Sequence, residues 1–162
     1  MRLIRIDDSQ AADAAVLLAD FRVTLRGYKG IASEPDVPDA LEEMQEYLHK
    51  GWPVFAVEDD GALAGYMVLR IEEGVLWVEH LFVRPECRRR GAASMLFEKA
   101  QEIARSMGED TVYNFVHPNN DGMIAFLRAK GYTVLNLIEI RKPYKDETPK
   151  TSIRVGNHTF DY

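Results

Sequence analysis

Three arginines, a glycine and two alanines at one strand-to-helix junction mark where this 162-residue chain is equipped for chemistry. An apolar run, Val75 to Val83, stops at Arg84-Pro85; Glu86-Cys87-Arg88-Arg89-Arg90-Gly91-Ala92-Ala93 then leads into a helical pattern over Ser94 to Met107. The first N–H groups of a helix have no intrahelical partner, and the helix dipole adds partial positive charge there. Gly91, Ala92 and Ala93 let a phosphate approach the backbone, and Arg88, Arg89 and Arg90 supply counter-charge. A solvated charge run is the plain alternative; the placement of the arginines immediately before Gly91 favours phosphate contact. Neither Gly-x-x-x-x-Gly-Lys-Ser/Thr nor Gly-x-Gly-x-x-Gly is present, so two common phosphate loops are excluded.

Other reactive side chains offer less. His49, His80, His117 and His158 lack metal-ligand spacing, and the lone Cys87 makes neither a structural zinc site nor an internal disulfide. No metal is expected. Cys87 has no evident base beside it and reads as a bystander.

The elements that must position the junction follow from periodicity. Arg2 to Ile6 alternates as a strand. Ser9 caps a helix through Ala14, Leu17, Leu18, Phe21 and Leu25, and Asp36 starts a second through Leu41, Met44 and Leu48. Gly27 to Pro35 between them is turn-rich. Pro53 to Glu58 and Leu63 to Ile71 flank Asp60-Gly61, a favoured hairpin turn, and Glu72-Glu73-Gly74 leads into Val75 to Val83. After the helix that follows the arginines come a strand (Thr111 to Val116), a helix (Gly122 to Lys130) capped by Asn119 or Asn120, and a further strand (Tyr132 to Arg141). The order β-α-α-β-β-β-α-β-α-β implies a single mixed α/β (α+β) domain that alternates only in part. Ser152 to Val155 and His158 to Tyr162 around Gly156-Asn157 form a terminal hairpin, expected to extend the sheet or pack on a partner subunit because two strands alone are marginal.

Arg88-x-x-Gly91-x-Ala93, five residues after Val83, resembles the acyl-CoA motif of the GNAT superfamily of N-acyltransferases, Gln/Arg-x-x-Gly-x-Gly/Ala. A second match lies eleven residues apart, Asn120 and Gly131-Tyr132, where the family carries a capping Asn and a closing Gly-Phe. The element order agrees from Met1 to about Lys142. The resemblance implies a mostly antiparallel mixed sheet with helices on both faces, splayed between the strand holding Val83 and the strand Thr111 to Val116. It implies residues 1–142 as the N-acetyltransferase domain and 143–162 as a C-terminal β-hairpin extension of it. Acetyl-CoA would be cosubstrate: pantetheine on backbone groups of Leu81, Phe82 and Val83, pyrophosphate near Arg88, Arg89, Arg90, Gly91, Ala92 and Ala93, and Asn120 facing the cofactor.

The same resemblance places a general base at Glu79, four residues before the strand valine, where polyamine-type members carry glutamate. An amine arrives protonated at neutral pH and must lose a proton before its lone pair attacks, which a partly buried carboxylate can accept. Period two puts Glu79 on the face of Leu81 and Val83 and His80 on the opposite, structural face. The family's tyrosine acid falls on Leu127, which has no proton to give; Tyr132, Tyr113 and His117 are the nearby alternatives. Tyr28 and Glu34, between the first two helices, are candidates to hold a cation.

Bulk properties bound the reading. The content is 46% hydrophobic and 28% charged, as in ordinary globular proteins. A net charge of −6 argues against a general nucleic-acid binder and suits either a cationic substrate or plain solubility. No apolar run is long enough for a membrane span, the first residues do not read as a signal peptide, and the single cysteine suits the cytoplasm. Two functions remain: an N-acetyltransferase using acetyl-CoA on a small cationic amine or a protein amine, as a homodimer through the C-terminal strands, or an acyl-CoA-binding sensor without catalysis.

Overall fold

The computed structural model describes all residues, Met1–Tyr162. They fall into two compact units, Met1–Ile124 and Ala125–Tyr162. The first is built on β1 (Arg2–Arg5), α1 (Ala11–Tyr28), α2 (Val37–His49), β2 (Val54–Asp59), β3 (Ala62–Glu72), β4 (Val75–Val83), α3 (Ala92–Ser106) and β5 (Tyr113–Asn114). A fourth helix, α4 (Asp121–Ala129), begins in it. The strands form one sheet in the order β1-β2-β3-β4-β5, antiparallel except for the parallel β4–β5 pair.

Alternation along β2 and β3 sorts the side chains of the two faces. Val54, Ala56, Tyr66, Val68 and Phe82 share a core with Ala14, Leu17 and Leu18 of α1 and Met44 of α2. Phe55, Val57, Met67 and Leu69 belong to the opposite parity, and α3, with buried Ala92, Leu96, Phe97 and Ala100, packs on β2, β3 and β4. Helices therefore cover both faces, as expected. Asp7, not Ser9, starts the first helical segment: its carboxylate accepts from the Ser9 N–H (2.9 Å) and Gln10 reaches back to the Asp7 N–H (3.1 Å), a capping box around a short 3₁₀ turn. Gly27, expected in a turn, is helical, since α1 runs on to Tyr28.

Two irregularities set the path of β4. Its register with β3 steps between Val68/Leu69, with Val68 opposite His80 and Leu69 opposite Val78, so Glu79 is the extra residue of a β-bulge. Near the far end, Gly65 lies opposite Val83, and a Cβ there would stand 2.6 Å from the Phe82 carbonyl oxygen and 2.9 Å from Val83 Cγ2. The two backbones approach there as only glycine permits.

In the second unit the hairpin forms: β6 (Ser152–Val155) pairs with β7 (His158–Asp161), and Thr151 and Tyr162 exchange N–H···O bonds of 3.0 and 2.9 Å. It is a separate two-stranded sheet, not an extension of the five-stranded one. The strand expected over Tyr132 to Arg141 is absent. No ladder pairs that segment, and Val134, Leu135, Leu137 and Ile140 are exposed. A strand pattern without a partner edge gains none of the hydrogen bonds that define a strand, which is why periodicity alone overcalls it.

Replacing Gly65 by alanine forces β3 and β4 apart, since its contacts are largely backbone. Gly65→Ala is expected to lower the unfolding free energy by about 2 kcal/mol. Urea denaturation of the two proteins measures this.

Candidate functional site

The site is built where β4 and β5 part. They pair only at Trp77↔Tyr113 and Val78↔Asn114, although β4 continues to Val83. From Glu79 onward β4 therefore has no partner strand on its β5 side. The opening is a cleft whose walls include Phe21 and Leu25 of α1, Val78, Glu79 and Leu81 of β4, and Asn114 of β5. Phe115, Val116, His117, Asn120 and Met123 complete it.

The bulge decides which way Glu79 faces. Its carboxylate accepts from Arg70 Nε at 3.0 Å, and Arg70 also pairs with Glu72 and lies over the Trp77 ring at 5.5 Å. Glu79 thus lies on the side of Arg70 and His80, not with Leu81 and Val83 as uninterrupted alternation predicts. The reason is the extra residue, which removes one step of the period. Glu79 still lines the cleft, so the expectation fails on the face alone.

His80 is buried. Its Nδ1 lies 3.1 Å from the Tyr66 hydroxyl, and its ring packs against Phe21, with centroids 4.9 Å apart. Burial lowers its pKa to about 4, against the raising influence of Glu43 and Glu79. At neutral pH it is an uncharged imidazole. Glu43 gathers the neighbouring polar groups: Arg22 and the Tyr47 hydroxyl both bond it, and Arg22 also bonds Asp39 at 2.6 Å. Burial, then the bond to Glu43, pushes the Tyr47 phenol well above its usual range, so it stays protonated. This network of Arg22, Asp39, Glu43 and Tyr47 had no sequence signal beyond the i,i+4 spacing of Glu43 and Tyr47, because it joins α1 to α2.

A strap closes one end of the cleft. Asn119 Nδ2 donates to the Tyr28 carbonyl at 2.9 Å, the Tyr28 and His117 rings stack at 5.7 Å, and Asn120 Oδ1 caps α4 by accepting from the Met123 N–H at 3.1 Å. Burial, then Lys29, lowers the His117 pKa. Tyr28 is accordingly a structural stacker, and Glu34 is exposed and outside the cleft walls. Tyr113 packs on Trp77 with centroids 4.9 Å apart. Leu127, at the family's tyrosine position, is buried in α4.

The cradle takes its form from backbone conformation. After a 3₁₀ turn over Pro85–Cys87, Arg89 (φ 61) and Gly91 (φ 96) are both left-handed. The first α-helical bond of α3 runs from the Met95 N–H to the Gly91 carbonyl at 3.0 Å, and no side chain caps the helix. The N–H groups of Ala92, Ala93 and Ser94 therefore lack intrahelical acceptors. The three arginines separate in role. Arg88 Nε donates to the Val83 carbonyl at 2.9 Å, Arg90 pairs with Asp59 at 2.8 Å, and Arg89 makes no ion pair.

The chain matches the model of the Acetyltransferase (GNAT) family over residues 19–132. Among solved structures it is similar to the aminoglycoside antibiotic 6'-N-acetyltransferase AAC(6')-IG from Acinetobacter haemolyticus (18% identity, TM-score 0.67, covering 90% of this chain and 100% of that one). It is also similar to AAC(6')-Iy in complex with a bisubstrate analogue (20%, TM-score 0.69, 88% and 98%). A third is a ribosomal-protein-alanine N-acetyltransferase from Brucella melitensis biovar Abortus 2308 (15%, TM-score 0.68, 89% and 100%). A comparison with curated protein sequences gives no match. At these identities the structures establish the fold; the family model, spanning more than half of the chain, establishes that it belongs to the GNAT family of acetyltransferases.

Proposed function

We propose that this protein is an acetyl-CoA-dependent N-acetyltransferase acting on a primary amine, either a small cationic amine or a protein amine, by direct transfer in a ternary complex. The observation that carries this reading is the opening between β4 and β5, with the Glu79 carboxylate among its walls. Similar structures are named for aminoglycosides and for ribosomal-protein alanine, acceptors that share an amine.

The residues fit the cosubstrate. Beyond Gly91 and its chain neighbours, no heavy atom lies within 4 Å of where a Cβ on Gly91 would stand, so a phosphate has room at the uncapped end of α3. Arg89, Arg90, Gly91, Ala92 and Ala93 would hold the pyrophosphate. Leu81, Phe82 and Val83 would hold the pantetheine amides as an added strand does. Arg88 serves the same segment by fixing the Val83 carbonyl, and Asn120 holds the start of α4 at the cleft. Acetyl-CoA, when bound, supplies an acetyl group activated as a thioester.

Glu79 takes one proton from the incoming ammonium, directly or through water, and frees the lone pair for attack. Backbone N–H groups of Leu81 to Val83 hold the negative charge that develops on the acyl oxygen. As the C–N bond forms and the C–S bond breaks, the second proton leaving nitrogen balances the departing thiolate as free thiol. His80 is unsuited to the base role, since it is neutral, buried and engaged with Tyr66. Leu127 supplies no proton to the leaving group; near neutral pH a thiolate with an ordinary pKa of about 8.5 departs without one.

The reading includes a homodimer in the cytoplasm. Four exposed apolar side chains close together in the chain, Val134, Leu135, Leu137 and Ile140, support the dimer, and the single cysteine supports the compartment. It also takes residues 1–142 as the transferase domain and 143–162 as its hairpin extension. One observation favours a second reading, an acyl-CoA-binding sensor without turnover: Leu127 in place of the acid.

Amine-dependent release of free thiol from acetyl-CoA, across polyamines, amino acids, aminoglycosides and lysine peptides, decides between the two. Turnover is expected, and Glu79→Gln should lower kcat/KM by about 10²–10⁴ with CoA affinity retained. CoA binding with no turnover on any amine supports the sensor. A separate prediction concerns His80, whose pKa is about 4 folded against 6.5 as a model group. The unfolded chain binds the proton first as pH falls, so this group's contribution is present above pH 6.5 and is lost towards pH 4, by up to about 3 kcal/mol. His80→Gln, which keeps an acceptor for Tyr66 and does not titrate, is expected to flatten that part of the stability-against-pH curve in denaturant titrations.

A further inference from the structure

One cleft group has no role in the scheme above. Asn114 is the last residue of β5 and pairs directly with Val78, so it stands at the foot of the opening, next in register to Glu79. Its Nδ2 donates to the Val112 carbonyl at 2.9 Å. That bond fixes which way the amide is turned, because the reversed amide would set oxygen against oxygen. The other end of the amide, Oδ1, is buried and has no hydrogen-bond partner, although Asn114 forms part of the cleft wall. Buried amide oxygens are satisfied in nearly all folded proteins, and an orphan at a ligand cleft is an acceptor waiting for a donor.

The position selects the donor. Pantetheine amides belong further along, on Leu81 to Val83, where β4 is free of β5. The foot of the opening is where an acceptor must come to reach Glu79. An approaching primary amine carries only N–H donors there, first three and then two. Phe21 and Leu25 of α1 and Phe115 after β5 supply apolar wall beside it, and Glu79 is the neighbouring side-chain acceptor on β4.

We propose that Asn114 is an acceptor-binding residue of the transferase reading: its Oδ1 takes one N–H of the acceptor amine beside Glu79 and orients the nitrogen. With the carbon substituent and one N–H fixed, the lone pair is confined to the two remaining tetrahedral directions. A neutral amide does this without competing with Glu79 for the proton, which a second carboxylate would do. The inference rests on the acetyltransferase reading and adds a second group that recognises the amine.

The test uses the full chain, acetyl-CoA and the best amine of the acceptor panel. Asn114→Leu, close in volume, is expected to raise the acceptor KM and lower kcat, for a combined 10- to 100-fold loss in kcat/KM. CoA affinity should not change. Asn114→Asp keeps an acceptor oxygen but loses the Nδ2 donor and adds the competing carboxylate, so it should recover most of the acceptor KM while kcat stays low. Should the leucine variant not fold, Asn114→Ala gives the same comparison. Unchanged amine kinetics in the leucine or alanine variant overturn the proposal. So does an aspartate variant whose acceptor KM is as high as the leucine variant's, which would assign the effect to the Val112 bond, or a parallel loss of CoA affinity, which would assign Oδ1 to the cosubstrate. Absence of amine-dependent turnover in the wild type overturns the acetyltransferase reading itself, together with this inference.

Discussion

Everything at the site depends on one strand being paired along its whole length on one side and only at its start on the other. β4 keeps its ladder with β3 out to Val83, whereas β5 leaves it after Val78. A strand left half-paired exposes N–H and C=O groups that demand partners. Two local features hold it in that condition. The bulge at Glu79 adds twist where the strands part, and Gly65 lets β3 press against β4 at its far end. The resulting edge is rigid on one side and open on the other, which suits an extended ligand that hydrogen-bonds like a strand.

Charge is distributed around this edge more sparingly than the count of arginines suggests. Arg88 and Arg90 are engaged within the chain, by Val83 and Asp59, so the cradle's attraction for an anion rests mainly on the amides and dipole of α3, with Arg89 beside them. Among the groups near Glu79, Glu43 is bonded to both Arg22 and Tyr47, and His80 is uncharged at neutral pH. That leaves Glu79 as the carboxylate in the cleft wall, moderated by its bond to Arg70. The Arg70 bond orients that carboxylate.

The parts of the molecule legible in its sequence are those governed by local rules. The helix starting after Gly91, the hairpin turn at Asp60-Gly61 and the cap at Asn120 each follow from a few adjacent residues, and each is present. The face of Glu79 was not legible, because alternation carries no mark of where a bulge enters. Nor was Asn114, an ordinary polar residue in a strand pattern until its register beside Val78 and its unpartnered oxygen are known. Tyr28 shows the converse: aromatic composition suggested cation binding, yet the ring stacks on His117. Contacts between residues far apart in the chain decide such cases.

The segment after α4 carries the same lesson further. Val134, Leu135, Leu137 and Ile140 have the residue types of a strand, yet their backbone joins no ladder and their side chains are exposed. β-branched and leucine side chains are favoured in strands because they pack on a neighbour's pleated surface, so without that neighbour the preference has nothing to act on. Exposed apolar side chains in an unpaired segment are a liability for pairing with another chain unless they are covered. The hairpin that follows does not cover them by pairing, since β6 and β7 pair only with each other.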